Sequence, residues 1–445
     1  MCGTAWKRQG WRNDSEEKQE ELASSMTATI LMEDKLRTLV GSEHVRPAGP
    51  EDAIGGTQPQ LVVEPGTQQE LAEVLRCTDE PGVAVIPRGG GTKLEWGNPP
   101  RRADWILSTK RLDRILEHAW ADLTVTVEAG CTLQTLQDAL AQHGQRLAID
   151  TLWPERATVG GVLSTNDSGV LRLRFGALRD LIIGVTLALP DGTLAASGGK
   201  VVKNVAGYDL PKLATGALGT LGVITRAVFR LHPLPRGSKS LSFFAASLDE
   251  MQKCILAIQD SKLAHTAFQI CCESAAQPEA DILFEATEAG LAAQIALLGR
   301  LIGQRRAQEV PASIWGVREH FWSPLEGNEA VVKISVLPAE IAWTIQAIGQ
   351  TAKTHNLQWR LCVQATGIGY VRLEGNAVEL RLTIQELRTK MKQTGGSLVI
   401  LHQPRTVERL DTWGDVGDAL PLMSALKSQL DPRGTLNPGR FVEGI

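Results

Sequence analysis

The order of apolar and polar positions along the chain predicts its elements and divides it into two textures. Leu31 to Val40 carries apolar residues at helical spacing and stops at Gly41, predicting a short amphipathic helix. Gln60-Leu61-Val62-Val63 reads as a strand closed by Pro65-Gly66. Thr67, with Glu70 three residues on, makes a capping-box pattern ahead of Leu71, Val74 and Leu75, so a helix follows. Val83 to Ile86 is the next strand and completes a β-α-β start. A second run of such units is expected from the strands Trp105 to Ser108 and Leu123 to Val127 and the helix Leu133 to His143. The apolar run Leu181 to Leu189 is read as a buried strand, and Asp191-Gly192 suits a hairpin into Leu194-Ala195-Ala196. Gly222 to Leu231 alternates like a half-exposed strand, and the pattern breaks at His232-Pro233-Leu234-Pro235.

Beyond that break, strands are expected at Leu241 to Ala246, Ala264 to Cys271 and Asp281 to Glu285, with helices at Leu248 to Gln259 and Gly290 to Gly303. Val331 to Val336, Ile341 to His355, Gln358 to Gln364, Gly369 to Leu373, Val378 to Lys392 and Ser397 to Leu401 then run strand, helix, strand, strand, helix, strand. This order predicts one or two ferredoxin-like units in a single antiparallel α+β domain. The tail Asp431 to Phe441 is dense in turn formers and is expected to dock at a specific place.

The 445 residues suffice for two or three domains with ample core. A formal net charge of -4 leaves no electrostatic footprint for nucleic acid or a membrane surface. The Leu181 to Leu189 run falls well short of the roughly 20 residues that span a bilayer. The 7 cysteines have no C-x-x-C spacing, which argues against a disulfide framework, structural zinc or an iron–sulfur cluster held by this chain. A reducing, cytoplasmic setting fits. Residues 1–26 mix charged and polar types without a signal-like apolar core and read as a disordered tail; Met26 is a second candidate start.

The candidate chemistry lies in glycine-rich segments. Pro87-Arg88-Gly89-Gly90-Gly91-Thr92 directly follows a predicted strand, and residues without a Cβ let successive N–H groups converge on an anion such as a pyrophosphate. Taken alone, such a run is more simply a tight turn. A second cluster, Thr158-Val159-Gly160-Gly161 continuing through Thr165-Asn166-Asp167-Ser168-Gly169, lies about as far on as a complete β-α-β unit requires. A third, Gly216-Ala217-Leu218-Gly219-Thr220-Leu221-Gly222-Val223-Ile224, runs into a strand, and Lys203-Asn204-Val205-Ala206-Gly207-Tyr208-Asp209-Leu210 sits between them. Four ligand-compatible segments in one domain are not easily explained as turns. None shows the G-x-x-x-x-G-K-[ST] or G-x-G-x-x-G spacing, which removes the main support for nucleoside triphosphatase and NAD-dehydrogenase readings.

These four segments, in this order, resemble the FAD-binding domain of the vanillyl-alcohol oxidase / PCMH-type family, and within it the FAD-binding E subunits of glycolate oxidases, relatives of FAD-linked D-lactate dehydrogenases. The ending Leu436-Asn437-Pro438-Gly439-Arg440 matches the family's closing segment. The resemblance implies an α+β protein: a PCMH-type two-subdomain FAD-binding domain over residues 27–235, an α+β, ferredoxin-like cap over 236–410, and a C-terminal segment, 411–445, returning to the FAD domain. It implies FAD at Pro87, Arg88, Gly89, Gly90, Gly91 and Thr92 through the pyrophosphate, at Thr158, Val159, Gly160, Gly161, Thr165 and Asn166 along the flavin and its phosphates, and at Asp209, Gly219, Gly222 and Ile224 as later contacts.

Two departures from the family pattern shape the expected function. No histidine lies between His44 and His118, so the FAD is expected to be non-covalent. Catalytic subunits of the family's 2-hydroxy acid dehydrogenases carry an H-x-G-D-G-N-x-H type pattern in the cap, whereas the comparable strand here reads Leu361 to Tyr370 without histidine. That favours a flavin-bearing subunit of a glycolate (2-hydroxy acid) oxidase complex, passing electrons from substrate or a partner flavoprotein to an iron–sulfur partner. A stand-alone D-lactate-type dehydrogenase and a scaffold without cofactor are the alternatives. No metal site is expected. His320 and His402 are weak candidate bases, since a histidine that caps an element or packs on aromatics is commoner. Lys333, a cation on an otherwise apolar strand, must find a partner, face a cavity or alternate outward, and with Arg372 it is a candidate carboxylate anchor.

Overall fold

A computed structural model describes residues 32–199, 208–274, 276–303, 305–404 and 409–445. The N-terminal tail with Met26, and Lys203 to Gly207, lie outside the described residues. The first layer is a 4-stranded sheet in which Leu61–Val63, Trp105–Ser108 and Val85–Arg88 run parallel, with Val45–Pro47 antiparallel at one edge. The helix Gln68–Asp79 makes the crossover. Its Thr67 cap accepts from the Glu70 N–H at 3.1 Å, while the Glu70 carboxylate accepts from the Gly66 N–H at 2.8 Å. Leu71, Leu75, Val85, Trp105 and Leu36 close the core beneath this sheet.

The second sheet corrects the expectation of further β-α-β units. Its five strands, in the order Ile115–Ala119, Thr124–Glu128, Val223–Arg230, Ile182–Ala188 and Leu194–Gly198, are all antiparallel. The expected hairpin joins the last two strands. The long apolar run instead starts as the end of a short helix, Leu178–Leu181, and only then extends. Ile115–Ala119 escaped prediction because it is an edge strand whose middle is exposed and does not alternate.

The cap is a single 8-stranded antiparallel sheet made of two halves, each with the ferredoxin-like order of strands and helices. The halves join where His265–Glu273 pairs with Gln358–Gln364. Helices Leu248–Gln259, Glu288–Ile302, Ile341–Thr354 and Ala377–Gln393 cover one face. The other face carries Val331, Cys362, Tyr370 and Leu401, packed on Trp96 and Leu152 of the first domain and on Phe321. Phe321 belongs to a 3-10 helix, Ala312–Trp322, which lacks the 3.6-residue period that would have revealed it. A C-terminal helix, Leu420–Leu430, was also not anticipated. The tail then returns to the first sheet: the Val85 N–H donates to Thr435 O at 2.8 Å, and the Asn437 N–H donates to Val85 O at 3.0 Å.

Among the described residues, two ionic joints hold the cap to the first domain. Arg146 forks onto Glu285 across the boundary at 2.7 and 2.5 Å. Deeper, the fully buried Asp167 accepts from Arg318 of the cap helix and pairs with Lys93 at 3.1 Å. Burial raises the Asp167 carboxyl, but Arg318 and Lys93 outweigh it and hold the group well below the usual carboxylate range. Replacing Asp167 by Ala leaves two buried cations without their counter-charge and should cost roughly 3–5 kcal/mol. Its stabilisation should be present above the unfolded carboxyl pKa of about 3.9 and be lost as pH falls towards the lowered folded value. Urea unfolding of wild type and Asp167→Ala at pH 7 tests this; equal midpoints would refute it.

Candidate functional site

The strand Val85–Arg88 delivers Gly89, Gly90 and Gly91 to the edge of a cleft of about 690 Å³. The glycines are demanded by contact. A Cβ on Gly90 would lie 1.7 Å from Arg156 O, and one on Gly89 would lie 2.0 Å from Thr158 Oγ1. The loop therefore presses directly on the start of the helix Val159–Thr165, whose cap Thr158 accepts from the Gly161 N–H at 3.4 Å. Opposite, Gly219 has a φ of 70° and abuts Pro87 and the Asn437 amide. Three glycine segments distant in sequence thus line one cleft.

Of the expected residues, Pro87, Arg88, Gly89, Gly90, Gly91, Thr92, Thr158, Gly160, Gly161, Thr165, Gly219 and Ile224 line this cleft. Asn166 lines an adjoining cleft. Val159 is buried in the core of the second sheet, and Gly222 packs against Leu187 and Leu189. Asp209 lies on the surface, capping the helix Leu210–Ala214 and pairing with Lys212 at 2.8 Å.

The adjoining cleft, about 840 Å³, shares Thr165 and Leu218 with the first and reaches the cap. Lys333 enters it from the sheet, among Trp96, Leu218, Trp413 and Phe441. Burial, reinforced by Arg318 and Arg172 and opposed by Asp167, pushes the Lys333 ammonium down to about 8. The other polar candidates lie elsewhere. Arg372 is taken up by Glu374 at 2.7 Å and by the carbonyl of Pro324 at 2.7 Å. His320 is exposed on an outer groove, and His402 ends the strand Ser397–His402.

Arg440 is the residue that sequence reasoning left without a role. It is 3% exposed, lines the first cleft, and donates through Nη2 to the carbonyls of Leu94 and Trp96 at 2.7 and 2.5 Å. Among the described residues its Nε and Nη1 have no hydrogen-bond partner. Burial lowers its guanidinium to about 10, so it stays charged at neutral pH. A buried cation with open donors beside a glycine cradle fits an anionic, carbonyl-rich ligand such as FAD. The signal in the sequence was a cation closing a turn-dense tail that was expected to dock.

Fold and cleft together define a two-domain FAD-binding architecture with a cap. Residues 59–198 match the family model described as FAD binding domain. The chain is 26% identical over 426 residues to glycolate oxidase subunit GlcD of Bacillus subtilis, covering 86% of this chain and 89% of that protein. It is 27% identical over 430 residues to D-2-hydroxyglutarate dehydrogenase of Xanthomonas citri pv. viticola, with the same coverages of 86% and 89%. To D-lactate dehydrogenase of Archaeoglobus fulgidus it is 35% identical over 199 residues, 44% of each chain. Among solved structures, p-cresol methylhydroxylase with substrate bound superposes with a TM-score of 0.74 at 15% identity, over 93% of this chain and 96% of that one. At that identity the likeness is one of fold. Residues 59–198 thus match an FAD-binding domain, and over 86% of its length the chain is similar to proteins named as 2-hydroxy acid oxidase subunits and dehydrogenases.

Arg440→Ala should weaken FAD binding by about 10- to 100-fold, the loss of a charge-assisted hydrogen bond worth roughly 1.5–3 kcal/mol. Arg440→Lys, which keeps charge but not the fork, should lie between. Gly90→Ala should yield protein that retains no flavin. Fluorescence titration of apoprotein with FAD reads all three, and wild-type affinity in Arg440→Ala would remove Arg440 from the site.

Proposed function

We propose that the chain is the FAD-bearing subunit of an oxidoreductase complex acting on small 2-hydroxy acids of the glycolate or lactate class. The observation that carries the reading is Lys333: an ammonium on an apolar strand, enclosed between the domains and opening on the cleft next to the cofactor cradle. It would anchor the substrate carboxylate, while Trp96, Leu218 and Phe441 exclude water from the bound acid. The glycine loop and Arg440 would hold the phosphates and ring system. Bound FAD supplies the two-electron acceptor at its N5. No histidine is among the described residues lining the two clefts, which supports a non-covalent flavin. The relatives' names, a subunit among them, support assembly, and a second flavoprotein and an iron–sulfur subunit are the proposed partners. Among the described residues no helix is long and apolar enough to cross a membrane, and a cytoplasmic setting is proposed.

The position of Lys333 also favours a second reading, in which this chain oxidises the hydroxy acid by itself. Anaerobic mixing of the purified flavoprotein with glycolate or D-lactate separates the two. Bleaching of the flavin by substrate alone would show direct oxidation; bleaching only with the partner flavoprotein present would show relay. Under either, release of free FAD on acid precipitation is expected.

The anchor has a pH signature. A carboxylate needs the charged ammonium, so affinity should be constant below pH about 8 and fall roughly tenfold per unit above it. Lys333→Met should weaken hydroxy acid binding about 10- to 100-fold at pH 7 and abolish that dependence. Titration of the flavin absorbance with substrate or a non-reacting carboxylate checks it, and an unchanged affinity in Lys333→Met would exclude the anchor.

A further inference from the structure

Cys271 and Cys362 stand directly opposite each other on the two strands that join the halves of the cap. The ladder fixes the kind of pair they form. The Ala365 N–H donates to Phe268 O at 2.9 Å and the Ser274 N–H donates to Trp359 O at 3.1 Å, so hydrogen-bonded pairs fall at positions 268, 270, 272 and 274 of the first strand. Cys271 and Cys362 therefore form a non-hydrogen-bonded pair, in which the Cα atoms approach to about 4.5 Å and the side chains stand closest. That separation lies within the roughly 4.4–6.8 Å that a disulfide spans.

The Cys271 thiol donates to Asp281 Oδ2 at 4.0 Å and the Cys362 thiol to Gln269 Oε1 at 3.4 Å, and the neighbouring Cys362 thiol, with burial, holds the Cys271 thiol well above its usual range. Glu279, opposite Cys271 on the next strand, and Asp281 act in the same direction. Access is asymmetric. Cys271 is half-buried and opens on an outer groove of about 900 Å³ lined by Phe244, Glu279, Val317, His320 and Arg360. Cys362 is 3% exposed and lies behind it. The neighbouring Cys272 points to the other face, into the helix-covered core.

We propose that Cys271 and Cys362 are a reversible dithiol–disulfide site, with Cys271 as the attacked, solvent-facing thiol and Cys362 as the resolving one, and that the oxidised form staples the two halves of the cap. With a small-molecule disulfide as oxidant, Cys271 gives up its proton and its thiolate attacks one sulfur, releasing one small thiolate and leaving a mixed disulfide. Cys362 then gives up its proton and attacks the Cys271 sulfur, and the second small thiolate leaves. The protein loses two protons and two electrons, and the small disulfide becomes two thiols. The bond closes a loop of about 90 residues, so it constrains the unfolded cap strongly. The same row of side chains continues from Cys362 to Tyr370 and on to Lys333, so the staple lies across the face that the cap turns to the cofactor domain.

The test uses the full-length, FAD-loaded protein, reduced and then incubated with oxidised glutathione without denaturant. The expected result is the loss of two hydrogen masses, a cross-linked peptide pair containing residues 271 and 362, and a rise of several degrees in the thermal midpoint that dithiothreitol reverses. Cys362→Ser should trap glutathione on Cys271, and Cys271→Ser should leave Cys362 unmodified. Both thiols remaining alkylatable in the wild type after denaturation, or a stable glutathione adduct with no internal bond, would overturn the proposal. So would modification of Cys362 in Cys271→Ser.

Discussion

The architecture depends on one buried carboxylate. Asp167 follows the helix that forms the second wall of the FAD cleft, Lys93 follows the glycine loop that forms the first, and Arg318 belongs to the cap. A carboxylate with no exposure cannot stay charged unless its partners are held in place. Three segments that belong to no common sheet are therefore locked at one point. The surroundings reinforce it: Lys93 also donates to Leu152 O at 3.2 Å and lies over the Trp96 and Trp153 rings, and the Arg318 guanidinium stacks on Tyr370 with 4.7 Å to the ring centroid. Removing the carboxylate strips both cations of their counter-charge.

Given that lock, the cofactor cradle follows from what cannot fit. The loop at Gly89 and Gly90 lies so close to residues 156–158 that no side chain is admissible there. The tail completes the enclosure, because Leu436 adds beside Val85 as a parallel bridge and so brings Arg440 under the loop. The cleft is thus built from the start, the middle and the end of the chain.

Much of this was legible in the sequence, for physical reasons that differ by region. Most regular cap elements were read to within about three residues, and the helix Leu248–Gln259 and the strand Gln358–Gln364 match throughout, because amphipathic elements report their period; the edge strand Gln308–Val310 was missed. The glycine loop was legible because Gly89 and Gly90 are forced by sterics, which leaves a mark in composition. What was hidden depends on partners distant in sequence. The antiparallel pairing of the second sheet, the 3-10 helix that carries Arg318, and the role of Arg440 have no local period or motif to announce them. Asp167 lay inside the second glycine cluster, yet nothing in its neighbours shows that its counter-charges sit 74 residues before it and 151 after it.

The same separation of charges explains why Lys333 matters. Asp167 is taken up by Lys93 and Arg318, and among the described residues Lys333, which faces the cleft, has no ion pair comparable to theirs. Arg179 at the same cleft and Arg440 at the neighbouring one carry the same sign. A chain with a formal charge of -4 has therefore gathered positive charge at one internal surface. Burial makes that costly unless anions complete it, which the lowered Lys333 and Arg440 values express directly. Two kinds of anion suit the two ends, phosphates beside Gly89 to Gly91 and a carboxylate beside Lys333. The two clefts meet at Thr165 and Leu218, so the two ends are continuous with each other.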